Sequence, residues 1–346
     1  MPEPQRAVLP WLDAPLRDAL EGSNAHALLI HGSADVGQLE FALALARGWL
    51  CESTTAPMGS RPCGQCASCR LVAAGSHPDL LVLVPEAMRE TAGAAGGGDD
   101  DGEEKSSRKK PSKEIRVDEV RVAVAFALTT SARGRGKVVV VHPAERMNAI
   151  AANAFLKTLE EPAGDARFLL CSAAPDALLP TIRSRCQALR LRLPTLGESL
   201  AWMREQGVEG AEVLLAASGG QPREAVARAA AGIDAASWKG LPARVAAGDS
   251  SAFRGWPLPL AIDALQKLCH DAACVAAGAA PRFFPADTLS RVGSLPSLLH
   301  YARELSRFAR HADHPWIADL GVESLVTQGR EALHTPRSSR RGPRVQ

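Results

Sequence analysis

Residues 26–30, His-Ala-Leu-Leu-Ile, read as a buried strand that runs into Gly32-Ser33-Ala34-Asp35-Val36-Gly37-Gln38-Leu39 and then a stretch with helical spacing. A strand, a glycine-bracketed loop and a helix constrain the fold more than anything else in the chain. This is the layout in which backbone N–H groups cradle a phosphate at a helix N-terminus. The working pattern is glycine, four residues, glycine, lysine, then serine or threonine. Gly32 and Gly37 have the required separation, but Gln38 holds the lysine position and Leu39 the hydroxyl position. Gln38 brings no cation to the β- and γ-phosphates, and Leu39 cannot ligate Mg²⁺. Either a nucleotide-binding fold persists here without the groups that hydrolyse a nucleotide, or the segment is a glycine turn between an ordinary strand and helix.

Residues 79–84, 137–141 and 167–171 read as further buried strands, separated by helical patterns at 39–50, 117–127 and 149–160. Four near-continuous apolar runs alternating with helices predict a parallel sheet covered on both faces. In a working ATPase the strand at 137–141 would end in an acidic pair that positions Mg²⁺ and water. His142-Pro143 stands there instead, and Glu145 reads as an exposed residue at a helix start. Two metal-handling positions therefore lack their chemistry, which predicts no unaided ATP hydrolysis. Beyond Leu193-Pro194 the strand signals stop. Residues 195–240 read as short alanine-rich helices broken at Gly219-Gly220-Gln221-Pro222, and 260–276 and 295–312 as longer ones.

The 346 residues leave room for two or three domains with real cores. A net charge of +2 gives no global basic field, so any nucleic-acid contact must come from local patches. No run approaches the length of a membrane span and no apolar leader follows Met1, so the expectation is a cytoplasmic protein without a membrane partner and with reduced cysteines. Residues 89–113 hold a Gly/Ala run, a block of acids and a block of lysines with almost no apolar content. They are expected to be a disordered, solvated insert. Residues 335–346, with Arg337, Arg340, Arg341 and Arg344, read as a flexible basic tail.

Cys63-x2-Cys66-x2-Cys69, with Cys51 upstream, places four thiols within nineteen residues. That set fits a tetrahedral Zn²⁺ site with no open position, hence a structural one. The competing iron–sulfur run ends in a cysteine followed by proline, whereas Arg70 follows Cys69. His77 is a further possible ligand, but Ser76-His77-Pro78-Asp79 reads better as a helix-to-strand turn. Cys171, Cys186, Cys269 and Cys274 have no partner at metal spacing and read as small core or boundary residues. A two-turn helix beginning near residue 178 would end at Ser184-Arg185-Cys186. By spacing alone, Arg185 is a helix C-terminal arginine that satisfies the local dipole.

Taken together, these residues carry a resemblance. Ala152-Asn153-Ala154-Phe155-Leu156-Lys157-Thr158-Leu159-Glu160-Glu161-Pro162 resembles the A-x-N-A-L-L-K-x-L-E-E-P-P signature of clamp-loader AAA+ subunits. Ser184-Arg185-Cys186 matches the S-R-C motif of that family, and the four cysteines match its bacterial branch. Phe155 in place of leucine and Ala163 in place of the second proline are departures that the pattern tolerates. The lost motor residues single out the δ′ branch of bacterial DNA polymerase III over the γ/τ branch. The resemblance implies an α/β P-loop-type AAA+ domain over 1–192 with a zinc module at 51–69, a helical lid over 193–240 and an all-helical collar for oligomerisation over 241–334.

It further implies a non-hydrolysing component of the DNA polymerase holoenzyme, a stator in a pentameric ring with γ/τ and δ subunits that loads the sliding clamp onto primed DNA. Arg185, flanked by Ser184 and Cys186, would be an arginine finger at the ATP site of an adjacent γ/τ subunit. Cys51, Cys63, Cys66 and Cys69 would hold Zn²⁺, and Arg223 occupies the position of a nucleotide-sensing lid arginine. Gly32, Gly37 and Gln38 would form a phosphate loop without turnover, which leaves open a nucleotide bound there and not hydrolysed. Two other readings stand beside this one. An ATP-hydrolysing subunit of the same fold is opposed by Gln38, Leu39, His142 and Pro143. A zinc-dependent DNA-binding module would have only Arg61 and Arg70 flanking its cysteines.

Overall fold

Four successive valines without a polar partner between them are stable only inside a sheet covered on both faces, and the fold is built around such a run. The computed structural model describes residues 9–23, 25–89, 111–289, 292–310 and 318–334. The chain divides into two units, Met1–Pro194 and Thr195–Gln346.

In the first unit the elements are α1 (Asp13–Gly22), β1 (Ala27–His31), α2 (Gln38–Leu50), α3 (Ala67–Ala73), β2 (Leu80–Leu83), α4 (Val117–Leu128), β3 (Val138–Val141), α5 (Ala149–Glu160), β4 (Arg167–Ser172), α6 (Pro180–Arg183) and β5 (Gln187–Arg190). The sheet order is β2-β3-β4-β1-β5, with every pairing parallel. Side chains alternate across it. Leu29, Val139, Val141, Phe168 and Leu170 join one buried cluster with Val120 and Ala123 of α4 and Phe155 and Leu159 of α5. Leu28, Ile30, Val140 and Leu169 alternate with them and are equally buried, and α2 packs against β1, β3 and β4. Phe155 is fully buried and meets Phe168 edge to face at 5.3 Å, so the larger ring at the usual leucine position is accommodated. This is the expected parallel α/β arrangement, with the glycine loop leaving the C-terminal end of an interior strand.

Two local expectations are corrected. A fifth strand, β5, pairs with β1, Leu28 lying opposite Gln187. It is an edge strand with three of its four side chains exposed, so it lacks the apolar run that betrays buried strands. The predicted two-turn helix is a single turn, α6, begun by Pro180 and closed at Ser184. Ser184-Arg185-Cys186 therefore lies in the turn that feeds β5. Residues 90–110 of the expected insert lie outside the described residues, but its ends are tied together. The backbone N–H of Ala87 donates to the Ser112 carbonyl at 3.1 Å, the Ser112 N–H donates to Glu86 at 3.1 Å, and Arg89 pairs with Glu119.

The second unit has seven α-helices and no strand among the described residues: α7 (Leu196–Glu205), α8 (Ala211–Ala217), α9 (Pro222–Ala230), α10 (Ala235–Ala247), α11 (Leu258–Ala276), α12 (Leu295–Ala309) and α13 (Ala318–His334). Thr195 and Glu198 form a capping box at the start of α7, which satisfies two N–H groups that the helix leaves free. Leu200, Met203, Leu214, Leu215 and Ala225 form a small core. A larger one gathers Trp238, Leu241, Val245, Leu265, Leu305 and Val326. Residue 240, the expected lid–collar boundary, falls inside α10, whose buried side chains belong to the larger core. The helical pattern at 295–312 ends at Ala309 as a helix, and the expected basic tail lies outside the described residues. No described helix is long and apolar enough to cross a membrane.

Candidate functional site

Helix α2 starts in the glycine loop. Gly37 sits at φ +103°, a backbone angle that L side chains rarely adopt. Gln38 is buried. Its side-chain amide turns back and donates to the carbonyls of Gly32 at 3.2 Å and Ser33 at 2.9 Å. The Trp11 indole donates to the Val36 carbonyl at 2.9 Å. A Cβ on Gly37 would meet methyls of Leu9 and Leu12 at 2.7 and 2.9 Å, and one on Gly32 would meet the Leu191 carbonyl at 2.6 Å. Gly32, Gly37 and Gln38 thus come together, and the Gln38 amide is spent on the loop's own backbone.

Glu145 is not the exposed residue the sequence suggested. It lies half-buried in a short turn after β3 and accepts from the Ala173 N–H at 3.1 Å. Its second oxygen is buried with no hydrogen-bond partner among the described residues.

At the other end of α2, the sulfurs of Cys51, Cys63, Cys66 and Cys69 all lie within 4.8 Å of one another. Successive backbone N–H groups point at sulfur: Cys63 to Cys51 at 3.5 Å, Cys66 to Cys63 at 3.4 Å, and Cys69 to Cys66 at 3.4 Å. Such bonds stabilise thiolates, the form that ligates a metal. Burial pushes the Cys51 thiol up and the Cys69 thiol up to about 12. Burial would raise Cys63 as well, but the N–H groups of Gln65 and Cys66 hold it down at about 6. Four sulfurs at this separation fit a tetrahedral thiophilic cation, which is the group that can keep buried thiols ionised. His77 is not in the cluster.

His77 instead fastens the cysteine loop to the sheet. Its Nδ1 accepts from the Asp79 N–H at 3.0 Å, so Nε2 carries the proton and donates to Ser68 Oγ at 2.7 Å. The Ser68 hydroxyl donates in turn to the Leu50 carbonyl at 2.6 Å. Asp79, fully buried, accepts from the N–H groups of Ala132 (2.7 Å) and Arg133 (2.9 Å), from Ser131 Oγ (3.0 Å) and from Lys137 Nζ (3.3 Å). Burial would raise its carboxyl, but these donors hold it below the usual carboxylate value. Arg133 also pairs with Glu52, next to Cys51, at 2.6 Å. The sequence signal for this network was thin, since its members are spread from Leu50 to Lys137.

By spacing Arg185 was expected to satisfy a local helix dipole, and by resemblance to serve an adjacent subunit. Its Nη1 donates to the Thr181 carbonyl at 2.8 Å and its Nη2 pairs with Glu160, so the guanidinium is held by its own chain. Ser184 Oγ donates to the same Thr181 carbonyl at 3.1 Å. Cys186 is half-buried, and burial pushes its thiol up to about 11. Arg223 is half-buried in the first turn of α9, in the second unit.

Residues 15–195 match the protein family described as DNA polymerase III, delta subunit. The chain is 41% identical over 221 residues to DNA polymerase III subunit delta′ of Pseudomonas aeruginosa, covering 62% of this chain and 59% of that protein. It is 36% identical over 210 residues to subunit delta′ of Escherichia coli, covering 60% and 55%. It thus spans less than two thirds of the length of these curated relatives. A crystal structure of a DNA polymerase III gamma subunit-related protein from Thermotoga maritima is similar at a TM-score of 0.47 and 18% identity, over 92% of this chain and 99% of that one. With just over half of its residues matching, the chain belongs to the DNA polymerase III delta-subunit family, among relatives that carry the delta′ name.

Proposed function

We propose that this chain is the non-hydrolysing subunit of a clamp loader. It serves as the stator of a pentameric ring with γ/τ and δ subunits that loads the sliding clamp onto primed DNA in the cytoplasm. The observation that carries the reading is Gln38. Where a motor subunit needs a cation aimed at phosphate, this chain has a neutral amide bonded to the carbonyls of Gly32 and Ser33. Leu39 and His142-Pro143 remove the Mg²⁺ contacts as well. Under this reading the first unit is the AAA+ domain, the small helical core is the lid that carries Arg223, and the larger helical core is the collar.

Cys51, Cys63, Cys66 and Cys69 hold a structural Zn²⁺, which supplies folding energy to a loop with little apolar core of its own. Arg185, in Ser184-Arg185-Cys186, is offered to the ATP site of the adjacent γ/τ subunit, where a guanidinium fits phosphate oxygens. The test is reconstitution with candidate γ/τ and δ chains. Arg185→Ala is expected to leave assembly intact and to slow turnover at the one site it serves by roughly 10³-fold or more, read as loss of that site's share of DNA-stimulated ATPase. Unchanged ATPase would remove Arg185 from this role.

A further inference from the structure

We infer that Glu160 is the positioning residue for Arg185, holding the guanidinium in the orientation from which it serves the neighbouring site. The inference rests on the arginine-finger reading above and assigns a role to one residue of Leu159-Glu160-Glu161-Pro162, which the sequence showed only as part of the family signature.

Glu160 is the last residue of α5. A carboxylate there faces the negative end of the helix dipole and is locally unfavourable unless a cation offsets it. Among the described residues, the cation paired with it is Arg185, twenty-five positions further along the chain. The other anchor of Arg185 is the Thr181 carbonyl in α6. The guanidinium is therefore fixed from two elements before any partner arrives, and the large rotamer entropy of an arginine is lost in advance.

Donor accounting favours a poised group over a buried strut. Arginine has five N–H donors. One on Nη1 and one on Nη2 are engaged, and Nε is buried without a hydrogen-bond partner among the described residues. One proton on each Nη remains for an incoming acceptor. The Arg185 side chain is 27% exposed and that of Glu160 48%, so the pair sits at the surface. A phosphate group can take the two remaining protons while Glu160 keeps its own.

The test measures kcat and KM for ATP of the reconstituted complex carrying Glu160→Ala, Glu160→Gln or Glu160→Asp, with Arg185→Ala and the double variant alongside. Glu160→Ala is expected to lower kcat at the served site about tenfold, the scale of one hydrogen bond to a charged group, with KM for ATP unchanged. Glu160→Gln should fall between, and Glu160→Asp, which keeps the charge, should recover most of the loss. In the double variant Glu160→Ala should add nothing to Arg185→Ala. If Arg185→Ala has no effect, the finger reading itself fails. If Arg185→Ala is effective while Glu160→Ala runs at or above the wild-type rate, the finger stands and the positioning role of Glu160 is overturned. Failure of Glu160→Asp to rescue overturns it too.

Discussion

Helix α2 begins in one loop and ends in another, and the two loops have kept opposite things. At its start the backbone is fixed, with Gly32 and Gly37 five residues apart and Gly37 at φ +103°, while Gln38 and Leu39 offer neither a cation nor a Mg²⁺ ligand. At its end every ligand side chain is retained. Packing explains the first case: Gly32 lies against the Leu191 carbonyl and Gly37 against Leu9 and Leu12, so the glycines are required whether or not a phosphate ever binds. It does not explain the second. Cys63 and Cys66 are only half-buried, and a half-exposed thiol fills no core. Four sulfurs within 4.8 Å of one another have the spacing to hold a cation. Packing alone accounts for the backbone of the first loop, whereas it does not account for the clustered thiols of the second.

The strongest way to break this contrast is to disable the four-thiol site proposed to hold Zn²⁺. Cys69→Ser, or a strong chelator added to the wild-type chain, is expected to cost several kcal/mol of stability, up to about 10. Thermal melts with and without the chelator check it, and an unchanged midpoint would mean that the thiols hold nothing. The next effect in size is at the joint between the cysteine loop and the sheet. Asp79→Asn leaves Lys137 buried without its carboxylate and should cost about 3 kcal/mol in chemical denaturation. The same carboxylate has a pH signature. Its folded pKa lies below the ordinary 3.8, so its contribution is fully present above about pH 4 and is lost as pH falls through the folded value. The wild type should therefore lose stability more steeply below pH 4 than Asp79→Asn does. The smallest effect is at the start of α2. Gln38→Ala removes the donors to the Gly32 and Ser33 carbonyls and should cost about 1 kcal/mol, measured by thermal melt, with no gain of nucleotide binding by calorimetry.

What the sequence disclosed follows the same division. The cysteine quartet was legible because ligand spacing is local, and β1 to β4 because strands buried on both faces are apolar throughout. β5 was hidden because an edge strand made of Gln187, Ala188, Leu189 and Arg190 carries no such run. Glu145 looked like a surface acid because nothing near it in sequence announces the Ala173 N–H it accepts, twenty-eight residues away. The same holds for Glu52 with Arg133 and for Glu160 with Arg185, pairs brought together by strand order and helix length. The inward turn of Gln38 lay at short range but depends on loop conformation, which residue identity alone does not set. In each case the chemistry of the residue was readable and its partner was not.

On the proposed function, the loop at the start of α2 turns over no nucleotide and this chain acts at its neighbour's site. The most direct measurement is steady-state ATP turnover by the purified chain alone, at saturating Mg²⁺-ATP. No turnover above background is expected, and no change with Gln38→Ala. Turnover of about 10⁻² s⁻¹ or faster, the pace of a competent nucleotide site, would contradict it.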